Sequence, residues 1–210
     1  MSNNAKAIAD YLLQIKAIKL QPSNPFTWAS GWKSPIYCDN RKTLSFPEVR
    51  LAIRDAFVNK IKDLYPGAEL IAGVATGAIA HGVLVAEALN LPFIYVRSGA
   101  KEHGLGNQIE GFFNKDQKVV VIEDLISTGG SSLRAVNELR EAGCNVLGML
   151  AIFTYGFKKA EDSFSMNNCN LSTLSDYSVL IEQAQATGYI TDNDIDTLKK
   201  WRQDPSAWGK

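Results

Sequence analysis

The sequence predicts an α/β protein built on a mostly parallel central sheet with helices on both faces. Three observations carry that expectation. Short apolar segments rich in β-branched residues recur at Leu70–Val74, Phe93–Val96, Val119–Ile122 and Val146–Phe153, with helical stretches at Ile79–Leu89 and Ser131–Ala142 between them. Continuous rather than alternating apolar runs are what strands buried on both faces require, and strand–helix alternation favours parallel pairing. The 210 residues are 46% hydrophobic and 21% charged with seven prolines, enough for a sizeable core. No repeat, low-complexity run or Pro/Gly/Ser linker divides the chain, so it reads as one continuous architecture.

Taken in order, Ile8, Leu12, Ile15 and Ile18 recur at helical spacing and predict an amphipathic first helix. Phe26-Thr27-Trp28 and Ile36-Tyr37 bracket Ser30-Gly31, which predicts a hairpin turn. A second helix is expected from about Phe46. Ser45 with Glu48 has capping-box spacing, Pro47 is tolerated in a first turn, and Ile53, Phe57 and Ile61 line one face. The strand–helix units follow, and right-handed crossovers gather the loops after the strands at one edge of the sheet, where such folds bind ligands.

Composition narrows the function. Twenty-two Lys and Arg balance 22 Asp and Glu, so no whole-molecule field calls for nucleic acid or an anionic membrane, and any anion must be held locally. Cys38, Cys144 and Cys169 are widely separated and lack metal-ligand spacing, which predicts reduced thiols rather than a disulfide framework or zinc site. Met1 to Asp10 carry no apolar signal core and no stretch approaches the roughly 20 apolar residues of a membrane span, so a cytoplasmic protein is expected.

The most informative segment runs from Val119 to Ser132: an apolar strand, two acids, then a small hydroxyl-rich turn opening a helix. Free N–H groups at the helix start, the positive end of its dipole, and the hydroxyls of Thr128, Ser131 and Ser132 suit a phosphate. Gly129 and Gly130 let the backbone approach. Glu123 and Asp124, expected at the carboxyl end of the strand, suit sugar hydroxyls and a developing ribosyl cation. The bland alternative is an ordinary helix cap preceded by surface acids. A P-loop is excluded because the GxxxxGK[ST] lysine is missing, and there is no GxGxxG turn.

Apolar strand, paired acids and phosphate turn in one register resemble the phosphoribosyl pyrophosphate (PRPP) signature of the type I phosphoribosyltransferases. That resemblance implies the family's fold, with a small N-terminal hood, over residues 1–210 as a single domain. About 1–45 would form the first helix and hood, and about 46–210 the PRPP-binding core and C-terminal helices. PRPP-binding roles fall on Glu123, Asp124, Leu125, Ile126, Ser127, Thr128, Gly129, Gly130 and Ser131, with Thr76 and Gly77 in the turn Gly73–Ala78 that looks like the pyrophosphate loop. Glu123 and Asp124 are also placed among the catalytic residues.

The segment Tyr95–Gly111 resembles the mobile catalytic loop of the orotate phosphoribosyltransferases in particular. Four glycines interleave with Arg97, Lys101 and His103, a basic segment able to fold over a polyanion and exclude water. Its alternative is a solvated loop. The resemblance makes Lys101 and His103 catalytic, lets them and Arg97 meet the diphosphate, and places the lid in the neighbouring subunit's site of a homodimer. The other histidine, His81, sits on a predicted helix and reads as structural. Phe26–Asp39 resembles the family's hood over the base. Orotate contacts are expected from Ser127, Tyr37, Lys33 and Tyr155, while the alternative for Trp28 and Trp32 is a place in the core or an interface.

The chain departs from some family members. They carry lysines where it has Ala29 and Gly77, a second basic residue where it has Ser98, and an arginine where it has Tyr155. The implied reaction starts from Mg²⁺-PRPP at Glu123–Ser132 and orotate under the hood. Pyrophosphate leaves toward Arg97, Lys101 and His103 while orotate N1 attacks ribose C1 with inversion. The metal arrives with PRPP and needs no direct protein ligand. Two rivals stand beside this reading. A purine or uracil transferase would be separated by a panel of bases, and a PRPP-sensing regulator by the absence of turnover.

Overall fold

The structure, a computed structural model, describes residues 3–28, 31–97 and 108–208. Helix α1 (Asn3–Gln14) buries Ile8, Ala9, Leu12 and Leu13. It ends earlier than its apolar spacing suggested. Lys16 adopts a left-handed φ of +56°, which turns the chain, and Ile18 begins strand β1 (Ile18–Leu20). Strand β2 (Phe26–Thr27) pairs with β3 (Lys33–Ser34), and β1 pairs with β4 (Ile36–Cys38). A hairpin thus forms around Gly31, but Ile36-Tyr37 is not its second arm. Trp28 N–H bonds Trp32 C=O at 2.9 Å, which sets Thr27 opposite Lys33, and Pro35 then interrupts the ladder because it has no N–H to give.

A 3₁₀ helix (Asn40–Ser45) leads into α2 (Pro47–Leu64). The expected capping box is absent: Ser45 closes the 3₁₀ turn and Phe46 takes the N-cap place with no side-chain bond, leaving Pro47 to open the helix. Ile53, Phe57 and Ile61 are buried on one face, as their spacing predicts.

The four apolar runs all form strands. They are β5 (Leu70–Val74), then, after α3 (Ile79–Leu89), β6 (Phe93–Val96), then, after the short β7 (Ile109–Glu110), β8 (Lys118–Ile126), and, after α4 (Gly130–Glu141), β9 (Asn145–Thr154). Helix α5 (Lys158–Met166), β10 (Leu171–Asp176), α6 (Tyr177–Ala186) and α7 (Asp192–Gln203) complete the order. The sheet runs β10-β9-β8-β5-β6-β7, parallel throughout except for the antiparallel β6–β7 pair.

Side-chain alternation along the strands divides the core in two. Ile71, Val120, Ile122, Leu150 and Ile152 join the cluster with α1, α2, α6 and α7. Leu70, Ala72, Val74, Val121, Met149 and Ala151 join the cluster with α4 and α5. Both faces are therefore covered, which is why these strands read as unbroken apolar runs. Strand β8 extends four residues beyond its apolar stretch, because β9 continues to pair with it as far as Ile126↔Thr154. Glu123 and Asp124 accordingly lie within β8, near its carboxyl end.

After β5 the chain moves outward to β6 and β7, then returns to lay β8 on the other side of β5. That reversal opens a crevice between the carboxyl ends of β5 and β8, the place where open α/β sheets bind ligands. Among the described residues, no helix is long and apolar enough to cross a membrane.

Candidate active site

The crevice is lined by the turn after β5, the end of β6, the end of β8 and the first turns of α4. It brings Thr76, Gly77, Arg97, Glu123, Asp124, Leu125 and Ser131 together. The Ala75–Thr76 peptide bond is cis. Gly77 is required by close approach: a Cβ there would stand 2.7 Å from Asp124 Oδ1 and nearer still to its Cγ and Oδ2. Where some family members place a lysine, this chain holds the Asp124 carboxylate.

The two acids are not equivalent, because adjacent strand residues face opposite ways. Glu123 is 5% exposed, accepts the Asp124 N–H at 2.9 Å through Oε1, and accepts the Ser132 hydroxyl at 2.8 Å through Oε2. Burial, reinforced by the neighbouring Asp124 charge, raises its pKa to about 8. Glu123 is thus a strut beneath the site, while the half-buried Asp124 presents its carboxylate to the crevice. Ser132, expected to help hold a phosphate, is buried with its hydroxyl committed to Glu123.

Helix α4 begins with no side-chain cap and no acid in its first turn, so its opening N–H groups are left for an anion. Gly129 has φ +81°, and a Cβ on it would meet Phe164 at 2.8 Å, so only glycine fits the turn. Thr128 is half-buried and Gly130 exposed in the same turn. The Ile126 side chain is fully buried in the core, so the expected ligand contact is not one its side chain can make. Arg134 and Gln108 also line the crevice. The sequence reading missed both, although Arg134 lies three residues past Ser131 and shares its helix face.

Arg97 donates to Glu110 Oε1 at 3.4 Å, its N–H bonds Gln108 C=O at 2.9 Å, and the Gln108 amide donates to Glu138 Oε1 on α4 at 2.7 Å. Arg97 and Gln108 therefore stand bonded to one another at the crevice. Lys101, His103 and Ser98 lie outside the described residues, as does Ala29 in the hood.

A second pocket, lined by Thr27, Trp28, Tyr37, Cys38, Leu125, Ser127 and Tyr155, adjoins the crevice through the shared Leu125. Tyr37 is 42% exposed at its mouth. Tyr155 is buried, stacked on Phe157 at 5.4 Å and against Trp28 at 5.5 Å. Burial holds the Tyr155 hydroxyl pKa far above its usual value, so it remains a neutral donor. Trp28 serves pocket and core at once, because its ring also meets the fully buried Trp201 of α7 edge-on. Lys33 is not in this wall; its ammonium donates to Thr27 Oγ1 at 2.9 Å. His81 is buried in α3 with Nε2 3.0 Å from Thr43 Oγ1, in the structural place the sequence suggested.

Residues 43–181 match the model of the phosphoribosyl transferase domain. The chain is 56% identical over 209 residues to the orotate phosphoribosyltransferase of Porphyromonas gingivalis, covering all of both chains. It is likewise 56% identical over 205 residues to that of Listeria innocua, covering 98% of each. Among solved structures, orotate phosphoribosyltransferase from Aeropyrum pernix superposes with a TM-score of 0.76 at 25% identity, covering 88% of this chain and 99% of that one.

Proposed function

The chain belongs to the phosphoribosyl transferase family, in its orotate phosphoribosyltransferase branch, and we propose a division of labour within its site for transfer of ribose-5-phosphate from PRPP to orotate. The reaction yields orotidine 5′-monophosphate and pyrophosphate, a step of pyrimidine biosynthesis. The observation that carries the assignment of parts is the pair of compartments meeting at Leu125. One is polar, between two loops and an uncapped helix start; the other is aromatic and walled by the hood. Residues 1–210 act as one transferase domain.

The α4 N-terminus with Thr128, Gly129, Gly130 and Ser131 holds the 5′-phosphate. Asp124 accepts from the ribose hydroxyls, and its negative charge favours the oxocarbenium character that develops at C1. Thr76, Gly77 and Arg97, with Lys101 and His103, receive the departing diphosphate, and Arg134 adds a cation to the same wall. Ser127, Tyr37 and Tyr155 position orotate, with the neutral Tyr155 hydroxyl donating to the anion. Orotate N1 ionises readily, so alignment and charge stabilisation suffice without a strong protein base.

The substrate species is the magnesium salt of PRPP, whose ion offsets the charge that accumulates on the diphosphate. Among the described residues no group of three or more His, Cys, Asp or Glu is placed to hold a metal. The enzyme works in the cytoplasm as a homodimer whose lids cross to the partner site. The decisive assay is the fall in orotate absorbance with PRPP and Mg²⁺, beside adenine, hypoxanthine, guanine and uracil. Orotate-only, Mg²⁺-dependent turnover is expected. PRPP binding without turnover on any base would overturn the assignment.

A further inference from the structure

Buried polar side chains are few here, and most of them converge on one residue. Among the described residues they are Ser34, Asn40, Thr43, His81, Glu123, Ser132 and Ser175. Glu123 and Ser132 hold the N–H side of Asp124, as described above. On the other side, Asn40 Nδ2 donates to the Asp124 carbonyl at 2.6 Å across 84 residues of sequence. The Asn40 carbonyl accepts the Thr43 hydroxyl at 2.5 Å, and Thr43 Oγ1 lies 3.0 Å from His81 Nε2. Because the Thr43 proton is spent on Asn40, His81 Nε2 must carry the donating hydrogen. The Cys38 thiol donates to Asn40 Oδ1 at 3.3 Å, which turns the amide so that its NH₂ faces Asp124.

We infer that Asn40 is a positioning residue for the transfer reaction, fixing the peptide of Asp124 so that its carboxylate stays aimed over Gly77 into the crevice. The inference rests on the assignment of Asp124 to the ribose in the proposed function. Three observations favour this over a generic core contact. The bond reaches the residue next to the strut Glu123, so the two peptide groups flanking the Asp124 Cα are each tied by a separate network. The far end of the chain is anchored on α3, directly behind the pyrophosphate turn. Cys38, which sets the amide, lines the base pocket, so hood, sugar site and pyrophosphate turn share one chain of bonds. A buried amide with both ends satisfied has one favoured orientation, and rotating it would leave a carbonyl unpaired.

The test is a double-mutant cycle on the full chain with steady-state kinetics in orotate and PRPP and a thermal unfolding midpoint. Asn40→Ala is expected to lower kcat by about 10- to 100-fold, the cost of a misaimed group, with KM for orotate changed less than about threefold. In an Asp124→Asn background the same Asn40→Ala change should have almost no further effect on kcat, because the group it aims is gone. Equal effects in both backgrounds, or wild-type kcat for Asn40→Ala, overturn the inference. Wild-type kcat for Asp124→Asn overturns the assignment of Asp124 itself, a different and separately visible failure. If Asn40→Ala does not fold, Thr43→Val against Thr43→Ser reads the same link. A slow Val variant restored by Ser supports it, and equal kcat values for the two overturn it.

Discussion

Substituting Gly77 with alanine should separate activity from stability at this site. The added Cβ would stand 2.7 Å from Asp124 Oδ1 and closer to Cγ and Oδ2. Ordinary carbon contacts lie at about 3.5–4.0 Å, so the carboxylate must move by roughly 1 Å. What it meets is the end of a short side chain beside an open crevice, so the fold can absorb the change, and the unfolding midpoint should fall by only a few degrees. The carboxylate cannot move without leaving its aim at the ribose. A misplacement of about 1 Å costs on the order of 10²-fold in rate, or about 2.7 kcal/mol of transition-state stabilisation. The assay is kcat and kcat/KM from orotate absorbance, beside a thermal melt. A Gly77→Ala enzyme within threefold of wild type, with an intact fold, would refute the claim that Asp124 over Gly77 is the working geometry.

Two pH effects of opposite sign should appear in the stability of the ligand-free protein. The folded pKa of Glu123 is raised from 4.5 to about 8, chiefly by burial, so its contribution is full below about 4.5 and is lost as pH rises toward 8. Glu123→Gln should flatten that limb in urea titrations, by a few kcal/mol at most at about 1.36 kcal/mol per pKa unit; an unchanged slope would sink the argument. His81 is lowered from 6.5 to about 4, by burial first and then by Arg50, so its contribution is full above 6.5 and is lost as pH falls toward 4. His81→Gln keeps a donor for Thr43 without titrating and should remove that acid loss, again read by urea midpoints between pH 4 and 7. For the lid, Lys101→Ala should slow single-turnover chemistry far more than it shifts the melt, and wild-type single-turnover rates would refute the assignment of the lid.

Local information made much of this legible. Strands β5, β6, β8 and β9 are buried on both faces, so burial alone writes them as apolar runs, and α3 and α4 follow from spacing and turn chemistry. The turn that opens α4 is legible for the same reason, since glycine at 129 and small hydroxyl residues answer to geometry within a few positions. The misreadings lie where distant partners decide. Ile18 kept helical spacing yet pairs with Cys38. Ser45 had the right spacing for a cap, but a preceding 3₁₀ turn took it.

By itself the sequence determined the layer architecture and the small-residue turn that opens α4, each set by contacts a few residues apart, while the ligand class followed from the family resemblance of its motifs. Only the tertiary structure decided which acid is a strut and which is presented, that Lys33 bonds to Thr27, that Arg134 joins the crevice, and that Asn40 reaches Asp124. Those facts depend on sheet order and on hydrogen bonds between residues as far apart as 84 positions, and a buried polar group finds its partner by proximity in space, for which sequence spacing carries no signal.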